Sequence, residues 1–339
     1  MRVAIIGTGL VGGSVGAALT ALGHDVVGWD PAEDHLRVAL ERSLVSRAAD
    51  TFEQAVDGAD VVVLAGPPRG VVEGLGRLSG HEGLVIDVCG VKQPVLAAAA
   101  DVPRFVGTHP MAGREHGGPE HATPGLFRGA TWVIVSDGAT ADDLTAAEEL
   151  VRSLGATPTT MTAVRHDAAV AAISHLPQLV AASLVAHATD ESDRLELAAG
   201  SFRDLTRVAL SDPAIWVQVL PANGREVSLQ LRLLADRLRD VADVVEAGDT
   251  DTLGALLTEA RGHRRALAPP VAQVGIILED RPGELGRVGA ALAASRVDVR
   301  DLQLRHGRHG GGGVLTLSVR PGEAEPLTLA LVDQGFELA

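Results

Sequence analysis

A glycine-rich loop near the N-terminus most constrains how this chain can fold. Residues 3–6 form an apolar, strand-like run, and the sequence Gly-Thr-Gly-Leu-Val-Gly follows at residues 7–12, ahead of a helix-like pattern rich in small residues. Gly7 allows a tight turn, Gly9 lets a pyrophosphate approach the backbone, and Gly12 permits close helix packing. Leu10 belongs to the same loop, at the helix N-terminus where phosphate binds. The pattern predicts a dinucleotide-binding α/β domain.

The second predicted strand indicates which dinucleotide binds. It covers residues 25–29 and ends at Asp30, 18 residues past Gly12. A carboxylate there can accept hydrogen bonds from both ribose hydroxyls and repels a 2′-phosphate, which predicts NAD over NADP. Further strand-like runs at 60–64, 84–88, 104–106 and 131–135 alternate with helical patterns, as in a parallel sheet. The loop after the first of these supplies two more expected cofactor-binding residues, Gly66 and Pro67.

The best candidate for catalysis is His109, in the segment 107–115 after the strand-like run that ends near residue 106. Pro110 fixes the backbone beside it and Gly113 allows close approach, so we expect a stiff elbow at the C-terminal edge of the sheet. Histidine exchanges protons near neutral pH. The alternative is a structural histidine whose ring bonds neighbouring backbone.

Composition excludes several classes of protein. Cys89 is the only cysteine among 339 residues, which excludes an internal disulfide and multi-cysteine metal sites, and we expect no metal. A formal net charge of −15 opposes nucleic-acid binding. The apolar runs look too short for a membrane span, and the chain starts directly with a strand, so we expect a cytoplasmic protein. Lys92 is the only lysine and lies beside the expected site.

From about residue 140 the pattern becomes helical. A long Ala-rich helix over 164–188 contains Ser-His-Leu-Pro at 174–177, and Pro177 cannot hydrogen-bond the carbonyl near Ile173. The resulting kink would turn His175 towards a ligand, unless it is simply a surface histidine. Arg203 and Arg207 are four residues apart and suit a dicarboxylate, although a solvated pair is the competing interpretation. An apolar stripe along 227–246 predicts a bundle core or a dimer interface.

The periodicity changes again at the prolines 269–270. Strand and helix patterns in the order βαββα follow, with residues 336–338 as a short final strand, which predicts a ferredoxin-like unit. We therefore expect three domains: a Rossmann-like NAD-binding domain at 1–160, an all-α substrate-binding and dimerisation domain at 161–268, and a small α+β domain at 269–339.

The chain resembles the prephenate dehydrogenases that carry a C-terminal ACT domain. The resemblance rests on the glycine loop, on His-Pro-Met-Ala-Gly at 109–113, on Ser-His-Leu-Pro at 174–177, and on Phe-Arg-Asp-Leu-Thr-Arg at 202–207 with Trp216 nine residues later. It implies NAD-dependent oxidative decarboxylation of prephenate to 4-hydroxyphenylpyruvate, in tyrosine biosynthesis. It also implies a homodimer and an amino-acid effector at the ACT domain.

The resemblance assigns roles to individual residues. His109 would hydrogen-bond the ring hydroxyl of the substrate, and Arg207 would bind a substrate carboxylate. His175, Glu115 and Arg203 would line the pocket, Trp216 would cap it, and Lys92 is counted with the substrate-binding residues by its position.

Two departures from the family pattern bear on substrate preference and rate. Gly90 stands where the family usually has a serine, and Gln178 where many members have a second histidine. Arogenate dehydrogenases share these motifs, so arogenate is the alternative substrate. A non-enzymatic amino-acid sensor is a further alternative. A β-hydroxyacid dehydrogenase would need a lysine in the helical region, which has none.

Overall fold

The computed structural model describes residues 1–113, 117–189, 197–267, 271–306 and 312–339. The chain divides into two compact units, 1–236 and 237–339.

The first unit is built on a six-stranded parallel sheet in the order β3-β2-β1-β4-β5-β6. Its strands are β1 (Arg2–Ile6), β2 (Asp25–Trp29), β3 (Arg47–Ala48), β4 (Val61–Leu64), β5 (Leu84–Asp87) and β6 (Phe105–Val106). The crossover helices are α1 (Leu10–Ala21), α2 (Glu33–Glu41), α3 (Phe52–Val56), α4 (Pro68–Gly76) and α5 (Gln93–Ala98). The strand order reverses between β1 and β4, which is where such sheets bind ligands. The predicted Rossmann-like domain is confirmed.

A second, three-stranded sheet carries the candidate catalytic histidine. It consists of β7 (Thr108–Pro110), β8 (Thr131–Val135) and β9 (Thr157–Met161), with α6 (Ala141–Ser153) between the last two. His109 pairs with Val133 across the antiparallel β7–β8 ladder. The predicted elbow is therefore wrong in detail: β6 ends at Val106, and the chain re-enters a strand in which ladder pairing, rather than a turn, fixes the backbone of His109.

The helices that follow complete the first unit. They are α7 (Ala163–Val170), a π-helical turn (Ala171–His175), α8 (Leu176–Thr189), α9 (Gly200–Thr206), a 3₁₀ turn (Arg207–Leu210), α10 (Pro213–Ala222) and α11 (Gly224–Glu246), within which the unit boundary falls. The π turn ends at His175, two residues before Pro177, as expected where a proline leaves a carbonyl without its helical partner. The predicted distortion thus takes the form of a widened turn.

The helix Ala163–Thr189 corrects one expectation. By length and composition it could cross a membrane, contrary to the prediction that no segment approaches a span. It nevertheless carries Asp167 and His175, both buried against the rest of the first unit. The burial of these two polar side chains indicates that the helix packs within the protein fold.

The second unit contains α12 (Thr250–Ala266) and an α+β module. The module comprises β10 (Ala272–Leu278), α13 (Glu284–Ser295), β11 (Asp301–His306), β12 (Gly313–Val319), α14 (Ala324–Asp333) and β13 (Glu337–Leu338). Its antiparallel sheet has the order β11-β12-β10-β13, and both helices pack on one face, where Ile276, Leu315 and Leu331 are fully buried. The βαββαβ order is that of ferredoxin-like units.

Candidate active site

A cleft of about 730 Å³ lies at the carboxyl ends of β1, β2 and β4. Six of the seven residues expected to bind the cofactor line it: Gly7, Gly9, Leu10, Asp30, Gly66 and Pro67. The seventh, Gly12, lies behind the lining in the first turns of α1. This is the crevice that the strand order predicts.

The backbone of the glycine loop fits a dinucleotide. Gly7 has φ +99°, and a Cβ there would lie 2.6 Å from the carbonyl oxygen of Ala65. A Cβ on Gly12 would lie 1.9 Å from the carbonyl oxygen of Gly7, so only glycine lets α1 pack this closely. Space in front of Gly9 is open to 4 Å, which leaves room for a pyrophosphate at the N-terminus of α1.

Asp30 lines the cleft and also holds the glycine loop by hydrogen bonds. Its carboxylate accepts hydrogen bonds from the backbone N–H of Thr8 (2.7 Å) and of Ala32 (2.9 Å). Only 8% of its side chain is exposed. The carboxylate is therefore held in a fixed place at the end of β2, where the ribose of a dinucleotide would lie.

His109 stands at the head of a chain of buried polar groups. Its Nδ1 lies 2.9 Å from Nε2 of His166, and Nδ1 of His166 lies 2.8 Å from Oδ1 of Asp167. Asp167 also accepts hydrogen bonds from the backbone N–H of Lys92 (2.8 Å) and of Gln93 (2.9 Å). These contacts join α7 to β7 and to the loop after β5.

The surroundings of His109 keep its ring neutral. Desolvation lowers its pKa well below the usual value of 6.5, although the ring keeps some contact with solvent, and the nearby Lys92, His166 and His175 lower it further. Asp167 acts in the opposite direction without reversing the shift. His109 can therefore accept a proton or a hydrogen bond at neutral pH.

His175 lies in the π turn and is 2% exposed. Its Nδ1 is 3.3 Å from Nδ2 of Asn223, and that amide also donates to the carbonyl oxygen of Asp167 at 2.8 Å. The ring of Trp216 stands edge-on to it, with the centroids 6.1 Å apart. Burial lowers the pKa of His175, so it too is neutral near pH 7. Contacts through Asn223, Asp167 and His166 thus connect His175 to His109, and the ring of Trp216 lies against that of His175.

Lys92 is not where we expected it to act. Its side chain is fully buried and its ammonium pairs with Asp87 while donating to the carbonyl oxygen of Thr108 at 2.6 Å. The expectation of a substrate-binding lysine is therefore wrong, because these partners already hold the ammonium. Burial raises the pKa of Asp87, and Lys92 opposes that effect. The pair fixes the start of β7, next to His109.

For two of the remaining predicted residues, the structure gives the element and the exposure of the side chain. Arg203 lies on α9 and Arg207 begins the following 3₁₀ turn, both with exposed side chains. They therefore sit on two consecutive elements, where we had expected one helix face. Glu115 lies outside the described residues.

Sequence reasoning missed four residues of this cluster: Gln93, His166, Asp167 and Asn223. The available signal was the His-Asp pair at 166–167, two polar residues beside the apolar positions Ala163 and Val170 of the same helix. Buried polar groups of this kind are retained where they are hydrogen-bonded.

Comparison with known proteins identifies the family. The family model for the prephenate dehydrogenase nucleotide-binding domain matches residues 15–159, and that for the prephenate dehydrogenase dimerization domain matches residues 162–259. A prephenate dehydrogenase of Bacillus subtilis is 32% identical over 341 residues, covering 93% of this chain and 91% of that protein. The chain belongs to the prephenate dehydrogenase family.

Two solved structures are similar in fold. An arogenate dehydrogenase of Synechocystis is 27% identical with a TM-score of 0.70, covering 79% of this chain and 100% of its own. A prephenate dehydrogenase of Aquifex aeolicus, in complex with hydroxyphenyl propionate and NAD⁺, is 25% identical with a TM-score of 0.74, covering 79% and 98%. The protein is accordingly an NAD-dependent oxidoreductase, as predicted. Both family models end before the C-terminal α+β module, which they leave unassigned.

Cofactor choice provides the first prediction. The enzyme should use NAD in preference to NADP, and Asp30→Asn, which removes the charge but keeps an acceptor oxygen, should reduce that preference. Hydrogen bonds to a charged group are worth about 1.5–3 kcal/mol, so kcat/KM for NAD should fall at least about tenfold. Steady-state kinetics with both cofactors measures this. Equal efficiency of the unmodified enzyme with NAD and NADP would contradict the role of Asp30.

The buried ion pair between Lys92 and Asp87 provides the second prediction. Lys92→Met should cost about 3–5 kcal/mol of stability, because it leaves Asp87 buried without its counter-charge. The double variant Lys92→Met/Asp87→Asn should regain part of that loss. Thermal and urea unfolding measure both, and Arg37→Met, which breaks an exposed pair with Glu41, is the control with a far smaller effect. A loss for Lys92→Met no larger than that of the control would contradict the analysis.

Proposed function

We propose that this enzyme oxidises prephenate with NAD and releases carbon dioxide and 4-hydroxyphenylpyruvate, a step of tyrosine biosynthesis. The observation that carries the proposal is the neutral ring of His109, held by β7 and His166. Family membership supplies the reaction class, and this residue supplies the group that the chemistry requires.

The chemistry needs a base at one oxygen. Prephenate carries a hydroxyl at C4 of a cyclohexadiene ring, together with a ring carboxylate and a pyruvyl side chain. NAD, when bound, supplies the hydride acceptor. His109 accepts the hydrogen bond of the C4 hydroxyl and takes its proton as that oxygen becomes a carbonyl, help worth roughly 10²–10⁴-fold in rate. Loss of the ring carboxylate as carbon dioxide then makes the ring aromatic, which supplies the driving force.

The substrate is a dianion, and the enzyme has a formal net charge of −15, so local positive charge must hold it. We assign that role to Arg207, with Arg203 beside it on the preceding helix. Glu115 and His175 complete the pocket in this proposal, and Trp216, edge-on to His175, covers it.

Arogenate is the second candidate substrate. It carries an amino group where prephenate has the side-chain keto group, and its oxidation uses the same hydroxyl and the same base. The Synechocystis neighbour is an arogenate dehydrogenase, which makes this a specific alternative. Of the two departures from the family pattern, Gly90 lies beside His109, and Gln178 is a buried residue of α8, three residues after His175.

We propose the division into domains from family membership as well. We assign residues 1–160 to NAD binding, 161–268 to substrate binding and homodimer formation, and 269–339 to an ACT-like domain that binds an amino-acid effector. Several large apolar side chains of the helical region are more than half exposed, which favours a subunit interface there; they are Ile173, Leu205, Leu210 and Val217. We propose a cytoplasmic location.

Turnover with both substrates tests the function. The enzyme with NAD should convert prephenate to 4-hydroxyphenylpyruvate, with a higher kcat/KM than for arogenate. His109→Ala should lower kcat by roughly 10²–10⁴-fold and leave the affinity for NAD nearly unchanged. Because the pKa of His109 lies below 6.5, kcat should hold as pH falls through 6.5 and be lost only at lower pH, where the ring becomes protonated. No turnover of prephenate, or near-normal kcat in the variant, would contradict the proposal.

Anchoring of the substrate gives a separate prediction. Arg207→Ala should raise KM for prephenate at least about tenfold, since a charge-assisted pair is worth about 1.5–3 kcal/mol. Arg207→Lys should recover only part, because it keeps the charge and loses the planar fork. Arg165→Ala, at an exposed arginine on α7, is the control and should leave KM unchanged. A large loss of melting temperature with unaltered KM would instead make Arg207 structural.

A further inference from the structure

The contact between His109 and His166 continues to a buried carboxylate. His166 is 1% exposed and Asp167 is fully buried, both on α7. Asp167 is held by four donors, because Oδ1 also accepts from the backbone N–H of Lys92, and Oδ2 accepts from the backbone N–H of Gln93 and from its side-chain amide at 3.2 Å. The chain His109–His166–Asp167 is therefore anchored at its far end.

The acceptor at that end decides where each hydrogen lies. Burial acts to raise the pKa of Asp167, but hydrogen bonds from His166 and from the N–H groups of Gln93 and Lys92 outweigh it and leave the pKa lowered. An ionised carboxylate only accepts, so Nδ1 of His166 carries the hydrogen between them. With one hydrogen on each ring, Nε2 of His166 accepts, so Nδ1 of His109 donates. Nε2 of His109 is left with its lone pair.

We propose that Asp167 and His166 are positioning residues that fix His109 in the tautomer with an unprotonated Nε2. The ionised Asp167 also stabilises the positive charge that His109 gains when Nε2 takes up the substrate proton, as the aspartate stabilises the imidazolium in hydrolytic triads. The inference rests on the proposed role of His109. The other tautomer would present an N–H to the hydroxyl and could not take its proton.

The Nε2 edge of the His109 ring faces Gly90, which has no side chain. A Cβ on Gly90 would lie 3.6 Å from Nε2 of His109 and 3.7 Å from Cε1. Orientation of the ring therefore comes from its Nδ1 side, through His166, while residue 90 places no side chain beside Nε2.

Asp167→Asn reverses the direction of the chain. With its oxygen towards Gln93, the amide would donate to Nδ1 of His166 and lose the hydrogen bond from the backbone N–H of Lys92. The hydrogen of His166 would then move to Nε2, and that of His109 to Nε2. We expect kcat to fall roughly 10²–10⁴-fold with little change in the affinity for NAD. The matched control is Asp143→Asn, because Asp143 is also a buried carboxylate, bonded to Arg104 and Thr140, on α6. It should lower the melting temperature and leave kcat unchanged.

A pair of variants at His166 tests the relay without touching the carboxylate. His166→Gln can place an amide oxygen near the position of Nε2, so it should keep kcat within about tenfold of the unmodified enzyme. His166→Leu offers no acceptor and should lose roughly 10²-fold or more. Equal kcat in the two variants, both folded by thermal melting, would overturn the proposal even where Asp167→Asn does not fold.

The tautomer itself is measured by ¹⁵N NMR on enzyme labelled at histidine, with the His109 signals assigned by their loss in His109→Gln. The unmodified enzyme should show a protonated Nδ1 and an unprotonated Nε2, and Asp167→Asn the reverse. The opposite tautomer in the unmodified enzyme overturns the inference. This readout needs no substrate, so failure of the enzyme to turn over prephenate would count against the proposed function alone.

Discussion

The buried carboxylate of Asp167 is the interaction on which the site depends. It lies on α7, yet its hydrogen bonds reach the backbone of Lys92 and Gln93 after β5, and its carbonyl oxygen accepts from Asn223 at the end of α10. One residue therefore holds together three elements that are distant in the sequence: α7, the loop after β5 and the end of α10. Such a group is costly to bury unless it is fully hydrogen-bonded, and here each carboxylate oxygen has at least two donors.

A second buried carboxylate does the same on the other side of His109. Asp87 ends β5, accepts from the backbone N–H of Cys89 and Thr108, and pairs with Lys92. Burial of an ion pair is weak evidence for a gain in stability, but it does specify geometry, because removing either partner leaves a charge without compensation. Since β7 is only three residues long, this pair and its ladder to β8 are what keep His109 in place. Lys92 therefore acts on the histidine through the backbone as well as through its charge.

The sequence predicted those parts of the molecule whose cause is local. The glycine loop requires backbone positions that only glycine fills, so strand, turn, helix and cleft all followed from residues 7–12. Pro177 likewise distorts its own helix, and the π turn lies one turn before it. The relay was missed because His109 and His166 are 57 residues apart, and nothing at either position marks the other. Lys92 was misassigned for a related reason: its position at a strand end was readable, but the direction of its side chain depends on Asp87 and Thr108.

The two sides of His109 differ in a way that bears on the departure at residue 90. On the Nδ1 side the ring is constrained by a hydrogen bond that runs back to an anchored carboxylate. On the Nε2 side Gly90 offers no hydroxyl, and a side chain there would begin 3.6 Å from the nitrogen. A hydroxyl on that side would compete with the substrate for the same lone pair, since a ring nitrogen accepts one hydrogen bond. With orientation supplied from Nδ1, the proposed mechanism does not depend on a hydroxyl at residue 90, and it leaves the lone pair of Nε2 for the substrate.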